Sequence, residues 1–337
     1  MNGKHIALIY TGGTVGMTMT AQGYAPMQDF AGALARLLAS AGEPLPCYTL
    51  HEYPVPIDST NATPEDWQKI GRDIAALYNE YDGFVVLHGT DTMVYTAAAL
   101  SYMLQGLRKP VIVTGSQIPL GAARSDAPQN LITALQLAAS ETLNEVAVYF
   151  NQRLLRGNRA TKVSTESLEA FDSPNYPRLA DVGIHVRYNK SALLPRASSE
   201  RFELPVYGRH VVLPVRFVPG MPVAAVQAML DLKPHAVILQ CYGAGNAPDR
   251  DPALMDMLAH ASAEGIVLAA CSQSPHGQVA IGTYAAGAGM KAAGVLGARD
   301  MTFEALFTKL HHLLAVGLPP ESVRTALLRN LSGELTA

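Results

Sequence analysis

The chain is poor in cysteine, in charged residues and in long apolar runs. Its three cysteines, Cys47, Cys241 and Cys271, are widely spaced without a C-x-x-C pair, which excludes a disulfide framework and fits a reducing compartment. No apolar run approaches the roughly 20 residues of a membrane helix, so we expect no membrane association. The opening residues lack the basic and apolar regions of a signal peptide, and we therefore expect a cytoplasmic protein.

Charge is scarce and nearly balanced. Charged residues make up 16% of the 337 residues, and the formal net charge is −3. No basic patch stands out, so we do not expect nucleic acid as a partner. The histidines include no H-E-x-x-H sequence, and the adjacent His311 and His312 lie in a helical pattern where neighbours point apart. We therefore predict no metal site and no cofactor.

Short apolar runs alternate with longer segments of helical periodicity. Nearly continuous apolar runs are typical of strands that are covered on both faces, as in a parallel sheet. The predicted strands cover residues 5–10, 83–89, 110–115, 145–150, 211–218, 236–243 and 265–272. Strands that alternate with helices predict an α/β fold.

The length of the chain favours two domains. Between roughly residues 172 and 212 the periodicity weakens and prolines accumulate, which indicates irregular backbone. We predict an N-terminal catalytic α/β domain over residues 1–188, a linker over 189–211 and a C-terminal α/β domain over 212–337.

A glycine-rich turn, TGGTVG, follows the first predicted strand. It is similar to a nucleotide-phosphate loop, but Thr11 stands where that pattern has its first glycine. The acidic residue expected about 20 positions further on has no clear match, and the chain has no G-K-[ST] sequence. Taken alone, the segment favours a tight strand-to-helix turn whose threonine hydroxyls bind the backbone. We expect this structural role for Thr11.

Two further strands end in the same way. The segment VVLHGTDTM over 85–93 ends a strand and opens a helix, and VIVTGSQIPL over 111–120 ends another. The carboxyl ends of parallel strands meet at one edge of a sheet, where ligands bind in open α/β folds. The side chains delivered to that edge are Thr11, Thr14, Thr90, Asp91, Thr114 and Ser116. Small hydroxyls with one carboxylate indicate a site for a small polar substrate.

The segments YTGGTVGM (10–17) and LHGTDTM (87–93) together resemble the two signatures of the bacterial-type L-asparaginase/glutaminase family, closest to its cytoplasmic type I branch. Further similar segments follow in order at 58–67, 114–131, 157–162, 242–248 and 301–310. The resemblance implies an asparaginase-type fold, with a larger N-terminal α/β domain and a smaller, flavodoxin-like C-terminal domain with a parallel sheet. It also implies hydrolysis of L-asparagine through an acyl-enzyme, with weak glutaminase activity as an option.

The resemblance assigns the catalytic roles. Thr14 matches the nucleophile, and Thr90, Asp91 and Lys162 match the group that handles protons. Tyr24 matches the tyrosine of a mobile lid that closes over the substrate. Whether Tyr24 or the Lys162 group is the base stays open. Metal plays no part in this set.

The same resemblance assigns substrate binding. Asp91, beside Thr90, is expected to pair with the α-ammonium group, and Ser59 and Thr60 to hold the α-carboxylate. Asp58 precedes Ser59 and is counted among the substrate-binding residues, although we expect its first role to be structural. Asn246 matches an asparagine that reaches the site of a neighbouring subunit, which implies a homodimer or a homotetramer made of two dimers.

Two departures from the family pattern limit the resemblance. Secreted members place a partner's glutamate near the lid, but this chain has no acidic residue between Gly265 and Arg299. Some relatives have an effector site for asparagine and carry an arginine where this chain has Gln240. Some of them also place a cysteine in that site, and Cys271 is offset from its position. We therefore do not expect activation by asparagine.

Two alternatives compete with an asparaginase. The first is the tRNA-dependent amidotransferase subunit of the same fold, which carries an extra N-terminal module. Here the first predicted strand begins at residue 5, which argues against it. The second is a non-catalytic amino-acid-binding module. The presence of every motif residue that the chemistry needs argues against that alternative.

Overall fold

The chain folds into two compact units, Met1–Leu204 and Pro205–Ala337. The computed structural model describes residues 3–42, 45–282 and 287–336. Each unit combines a sheet with helices, which confirms the predicted α/β class with a larger N-terminal part and a smaller C-terminal part with a parallel sheet. The domain limits at 188 and 212 stay a prediction.

The N-terminal unit is built on an eight-stranded sheet with small two-stranded pairs beside it. Its strands are β1 His5–Tyr10, β2 Met17–Thr20, β3 Gly23–Pro26, β4 Cys47–Glu52, β5 Gly83–Leu87, β6 Leu104–Gln105, β7 Val111–Thr114, β8 Val146–Phe150, β9 Arg153–Arg156, β10 Thr161–Lys162, β11 Phe171–Asp172, β12 Ala180–Val182, β13 Val186–Tyr188 and β14 Arg201–Phe202. Its helices are α1 Phe30–Ala39, α2 Pro64–Leu77, α3 Met93–Met103 and α4 Ala127–Ala138.

The order of the large sheet is β13-β12-β9-β8-β7-β5-β1-β4. Strands β4, β1, β5, β7 and β8 are parallel, and β9, β12 and β13 continue the sheet in antiparallel pairs. All residues of β5, β7 and β8 are buried, as the continuous apolar runs predict. The parallel arrangement brings the carboxyl ends of β1, β4, β5 and β7 to one edge.

Helix α2 illustrates how local sequence sets an element. The predicted N-cap, Thr63, donates from its backbone N–H and its hydroxyl to the Asp66 carboxylate, at 2.8 and 3.1 Å. Pro64 occupies the first helical position, where no N–H is needed. The residues Trp67, Ile70 and Ile74 are buried against the unit, as their spacing predicts.

The C-terminal unit has a four-stranded parallel sheet whose strands follow in chain order. The strands are β15 Val212–Arg216, β16 Ala236–Cys241, β17 Val267–Ser272 and β18 Leu296–Gly297. The helices are α5 Val223–Leu230, α6 Pro252–Ala263, α7 Ala288–Ala292, α8 Phe303–Ala315 and α9 Pro320–Leu327. Separate apolar clusters cover the two faces of this sheet. Nowhere in the described part of either unit is a helix long and apolar enough to cross a membrane.

Two segments are more regular than their sequences indicate. The predicted lid loop that carries Tyr24, MTAQGYAP over 19–26, lies within the antiparallel hairpin β2–β3. The weakly patterned region after residue 172 contains the hairpin β12–β13, which extends the large sheet, and β14, which pairs with β6. These strands are two to four residues long, too short to show a period.

Candidate active site

The turn after β1 is pressed against the turn after β5. A side chain at Gly13, whose φ is +92°, would place its Cβ 2.4 Å from the backbone nitrogen of Gly89. A Cβ at Gly89 would lie 2.4 Å from the hydroxyl of Ser59. Glycine is therefore required at both positions, because only a bare backbone allows this approach. The contact places the segments of Thr14 and Thr90 side by side, and Ser59 lies against the second of them.

Hydrogen bonds fix the same turns. Thr11 donates from its N–H and its hydroxyl to the carbonyl oxygen of Leu87, at 3.0 and 2.8 Å, and the N–H of Ile57 donates to the Thr11 carbonyl. Thr11 is buried, so its hydroxyl is used inside the protein, in agreement with the expected structural role. Thr114 likewise donates to the carbonyl of Tyr149, while the buried Ser116 hydroxyl makes no hydrogen bond with any described residue.

Lys162 connects the two polar side chains of the second turn. Its ammonium group lies 3.0 Å from the hydroxyl of Thr90 and 2.8 Å from a carboxylate oxygen of Asp91. Residue 162 is 72 positions from Thr90 in the chain, and the short hairpin β10–β11 holds it in place. The Lys162 side chain is 17% exposed and that of Asp91 is 55% exposed, so the pair faces solvent on the carboxylate side.

Gln117 is a member of this cluster that the sequence patterns do not reveal. Its side-chain carbonyl accepts a hydrogen bond from the Thr90 hydroxyl at 3.1 Å. Its amide group donates to the carbonyls of Thr165 and Ser167, in the loop that follows Lys162. The one available signal is its place three residues after the end of β7, among side chains delivered to the sheet edge. Thr90 therefore donates to Gln117 and accepts from Lys162.

Thr14 lies in a short 3₁₀ turn over Thr14–Gly16 and is half-buried. Its hydroxyl makes no hydrogen bond with any residue in the ranges that the structure describes. It is therefore free to meet a ligand from outside the protein. The Gly16 N–H donates to the Gly13 carbonyl at 3.1 Å and closes this turn.

The tyrosine of the predicted lid is not hydrogen-bonded to this cluster. Tyr24 lies in β3 opposite Met19 of β2, and it is 56% exposed. The Thr20 hydroxyl donates to the Gly23 carbonyl and closes the hairpin. Tyr24 makes no hydrogen bond with the described residues, so its place is on the hairpin outside the cluster.

The predicted carboxylate-binding segment divides into a buried and an exposed part. Ser59 is buried beside Gly89, and its carbonyl accepts from the Thr92 hydroxyl at 2.7 Å. The Thr60 hydroxyl instead donates to the Asp58 carboxylate at 2.7 Å, and this bond lowers the pKa of Asp58 below its ordinary value. Asp58 also accepts from Asn61, so its carboxylate is used within its own turn.

A buried histidine stands between β5 and the turn of Thr90. One ring nitrogen of His88 lies 2.8 Å from the Gly89 carbonyl and the other 2.9 Å from the Thr96 hydroxyl. Burial lowers the pKa of His88, so the ring is neutral at pH 7 and serves as a fixed support for the turn.

The remaining predicted residues lie in the C-terminal unit. Asn246 is half-buried in the loop after β16, where its backbone pairs with Tyr242 on both its N–H and its carbonyl. Gln240 and Cys271 are opposite each other on β16 and β17, and burial raises the pKa of Cys271 to about 12. Among the described residues, no group of three or more His, Cys, Asp or Glu side chains could hold a metal ion.

Comparison with known proteins finds matches along nearly the whole chain. The family model "Asparaginase, N-terminal" matches residues 5–194, and "Glutaminase/Asparaginase C-terminal domain" matches 211–327. The chain is 47% identical to L-asparaginase 1 of Escherichia coli over 340 residues, which cover 100% of this chain and 99% of that relative.

Two further relatives extend the comparison. The crystal structure of L-asparaginase I from Vibrio cholerae has a TM-score of 0.90 at 41% identity and is matched over 99% of both chains. The chain is 34% identical to the L-asparaginase of Thermococcus kodakarensis, over 98% of this chain and 99% of that protein. Both halves of the chain are matched in order and over nearly their full extent. The protein therefore belongs to the asparaginase/glutaminase family.

Proposed function

We propose that the protein hydrolyses L-asparagine to L-aspartate and ammonia, with Thr14 as the nucleophile. The observation that carries the proposal is the bridge from Lys162 to Thr90 and Asp91, in a turn that touches the turn of Thr14. A free hydroxyl, a lysine that can exchange protons and a carboxylate thus share one edge of the sheet. The names of the full-length relatives support the same reaction.

The reaction runs in two steps. The Thr14 hydroxyl oxygen attacks the side-chain amide carbon, its proton passes through a base to the leaving nitrogen, and ammonia departs. The resulting ester is then hydrolysed by water, which restores Thr14 and releases aspartate. Backbone N–H groups of the two glycine turns are suited to stabilise the oxyanion of each step, because both turns lie at the sheet edge.

Lys162 is suited to deliver a proton to the leaving nitrogen. Its nitrogen lies 3.0 Å from the Thr90 hydroxyl and 2.8 Å from the Asp91 carboxylate, so its N–H groups are held at the sheet edge where the substrate is expected. A proton taken from Thr14 needs an acceptor with a free lone pair. Either the Tyr24 oxygen, which releases its own proton toward the leaving nitrogen as it accepts, or the Lys162 group can serve once the substrate is bound. The exposed position of Tyr24 on its hairpin supports a role that begins when the hairpin closes.

Substrate binding follows from the charges at the edge. One oxygen of Asp91 is bound to Lys162, and the other is available for the α-ammonium group of asparagine. Ser59 is the better ligand for the α-carboxylate, because the hydroxyl of Thr60 already binds Asp58. The Asp58 charge would repel that carboxylate, so we assign Asp58 to holding the turn. Glutamine is one methylene longer and would misplace its carbonyl, which favours weaker glutaminase activity.

The assembly is part of the proposal. We propose a homodimer, or a tetramer of two dimers, in which Asn246 completes the site of a neighbouring subunit. Asn246 lies in a half-buried loop that is held by backbone hydrogen bonds, so its side chain is not needed for the pairing of that loop. This supports the proposed role. The cytoplasm is the proposed location, supported by three cysteines that are all free.

Ammonia release from purified protein tests the proposal. We expect release from L-asparagine, slower release from L-glutamine, and a loss of about 10³-fold or more in Thr14→Ala. Thr14→Ser keeps a hydroxyl and should retain part of the activity. The matched control is Thr142→Ala, which removes an exposed threonine of the turn before β8 and should leave the rate within about twofold.

Three outcomes would contradict the assignment. Full activity in Thr14→Ala would remove Thr14 from the chemistry. Asparagine binding without any ammonia release in the wild type would favour an amino-acid-binding module. Release only in the presence of a mischarged tRNA would favour the amidotransferase alternative.

A further inference from the structure

A cavity of about 450 Å³ lies in the antiparallel part of the large sheet, away from the candidate active site. The turn that joins β8 to β9 forms one wall, and the hairpin β12–β13 forms the other. Its volume falls within the range of small-molecule sites. The family motifs do not reach this cavity, which is built largely from segments whose sequences show no regular period.

The walls of the cavity carry an excess of arginine. Arg153 pairs with Glu169, and Arg178 pairs with Asp181 at 2.8 Å. The carboxylate partners are 57% and 65% exposed, so water competes for both pairs and each is weak. Arg187, opposite Asp181 on the hairpin, makes no ion pair or side-chain hydrogen bond with any described residue. The Arg187 guanidinium is therefore available to an anion, and those of Arg153 and Arg178 become available where a ligand carboxylate takes the place of Glu169 or Asp181.

The turn in the first wall has a conformation that its residues disfavour. Asn151 and Gln152 both have positive φ angles, of 42° and 68°. A two-residue hairpin turn of this kind favours asparagine and then glycine, so the glutamine at the second position is strained. The Gln152 carbonyl accepts from the Val182 N–H at 2.8 Å, which ties this turn to β12. Backbone strain of this type is concentrated at ligand-binding sites.

The cavity is connected to the candidate active site through one loop. This loop, residues 163–170, joins β10 to β11, and its base is closed by hydrogen bonds from the Val163 and Ser164 N–H groups to the Ala170 carbonyl. Glu169 binds Arg153 at the cavity end of the loop. Gln117 binds two carbonyls of the loop at the other end and also accepts from Thr90.

We propose that this cavity binds a small dicarboxylate, and that the bound ligand draws Arg153 away from Glu169 and so loosens the loop 163–170. A dicarboxylate fits because an arginine fork binds one carboxylate with two hydrogen bonds, and the arginines line two facing walls. One ligand carboxylate binds Arg187 and Arg178, and the other binds Arg153 on the opposite wall. Any effect of the bound ligand on catalysis rests on the function proposed for Lys162. Ligand binding and the motion of the loop do not depend on that function.

Calorimetric titration of the full chain with succinate tests the binding step. Succinate is chosen because it lacks the amino group that Asp91 would attract. We expect one saturable site in the wild type, weakened about tenfold or more in Arg187→Ala. Arg72→Ala, which removes an exposed arginine of α2 without a side-chain partner among the described residues, should change the affinity by less than about twofold.

Hydrogen exchange tests the loop. Saturating succinate should speed the exchange of the Val163 and Ser164 amides by about threefold or more in the wild type and in Arg72→Ala, but not in Arg187→Ala. Succinate binding that Arg187→Ala leaves unchanged would overturn the site. Binding of inorganic phosphate but not of succinate would overturn the choice of ligand, and binding without faster exchange would overturn the link to the loop. None of these readouts depends on ammonia release.

Discussion

The protein contains two lysine–carboxylate pairs at similar distances that differ in every other respect. Lys162 and Asp91 lie 2.8 Å apart at the edge of the N-terminal sheet, with the carboxylate more than half exposed. Lys309 and Glu334 lie 2.5 Å apart inside the C-terminal unit, and both side chains are completely buried.

The two pairs differ most in how many of their hydrogen-bond donors and acceptors have partners. The Lys309 ammonium donates to Glu334 and to the carbonyls of Leu327 and Arg329, so all three of its hydrogens have acceptors. Glu334 in turn accepts from the backbone N–H of Leu331. This pair is complete, and it fixes the C-terminal segment onto α8 and α9.

The pair at the sheet edge is incomplete. Lys162 has two acceptors for its three hydrogens, and one oxygen of Asp91 has no partner among the described residues. Unused donors and acceptors at a solvent-facing edge are available to a substrate, whereas saturated ones only hold structure. The open donors and acceptors of Lys162 and Asp91 are consistent with the chemical role that we propose for them, whereas those of Lys309 and Glu334 are used up inside the protein.

The largest expected effect separates the pairs by activity. Lys162→Met should lower kcat for asparagine by about 10²–10⁴-fold, because it removes the group to which we assign proton transfer. The free energy of unfolding should change by less than about 1 kcal/mol, because the partner carboxylate is solvated. Steady-state kinetics and urea unfolding measure the two quantities. Tyr24→Phe is the companion variant, and a larger loss in it would assign the base to Tyr24.

The buried pair should show the reverse. Lys309→Met leaves the buried Glu334 charge without its partner, so we expect the C-terminal unit to lose about 3–5 kcal/mol in urea unfolding. The rate per folded molecule should stay within about twofold. The double variant Lys309→Met/Glu334→Leu removes both charges and should recover much of the loss. A double variant as unstable as the single one would show that the charges are not the cause.

The smallest effect is expected at a third lysine. Lys4 lies 3.4 Å from both Asp82 and Glu141, and none of the three side chains is less than 34% exposed. Asp82 raises the pKa of Lys4, but solvent screens so exposed a pair. Lys4→Ala should therefore change the free energy of unfolding by less than about 1 kcal/mol, with no change in activity. A loss in the free energy of unfolding close to that of Lys309→Met would show that burial does not determine how much each pair contributes to stability.

Sequence patterns predict the parts of the site that lie directly after buried strands. The apolar runs of β1 and β5 are continuous, so their ends are well marked and Thr14, Thr90 and Asp91 can be placed at one edge. Lys162 stands on a two-residue strand whose neighbours carry no period, and only the family resemblance singles it out. Its position depends on pairing with β11 rather than on local preference.

Gln117 and the hairpin β12–β13 show what the sequence does not contain. The bonds of Gln117 go to loop carbonyls 48 and 50 residues away, and a backbone carbonyl has no residue type that a pattern could reveal. The strands β12 and β13 are three residues long, too short for a visible alternation of buried and exposed residues. Their exposed charged residues also give no sign that the two strands pair. Long-range backbone contacts therefore fix the features that local patterns cannot reveal.

The contact between the two glycine turns also decides when the site comes into existence during folding. Gly12 meets Ile57, and Gly13 meets Gly89, only after β1 has paired with both β4 and β5, strands about 40 and 80 residues further along the chain. No local segment can hold this geometry alone. Activity that returns on refolding is therefore a reporter of the central sheet of the N-terminal unit.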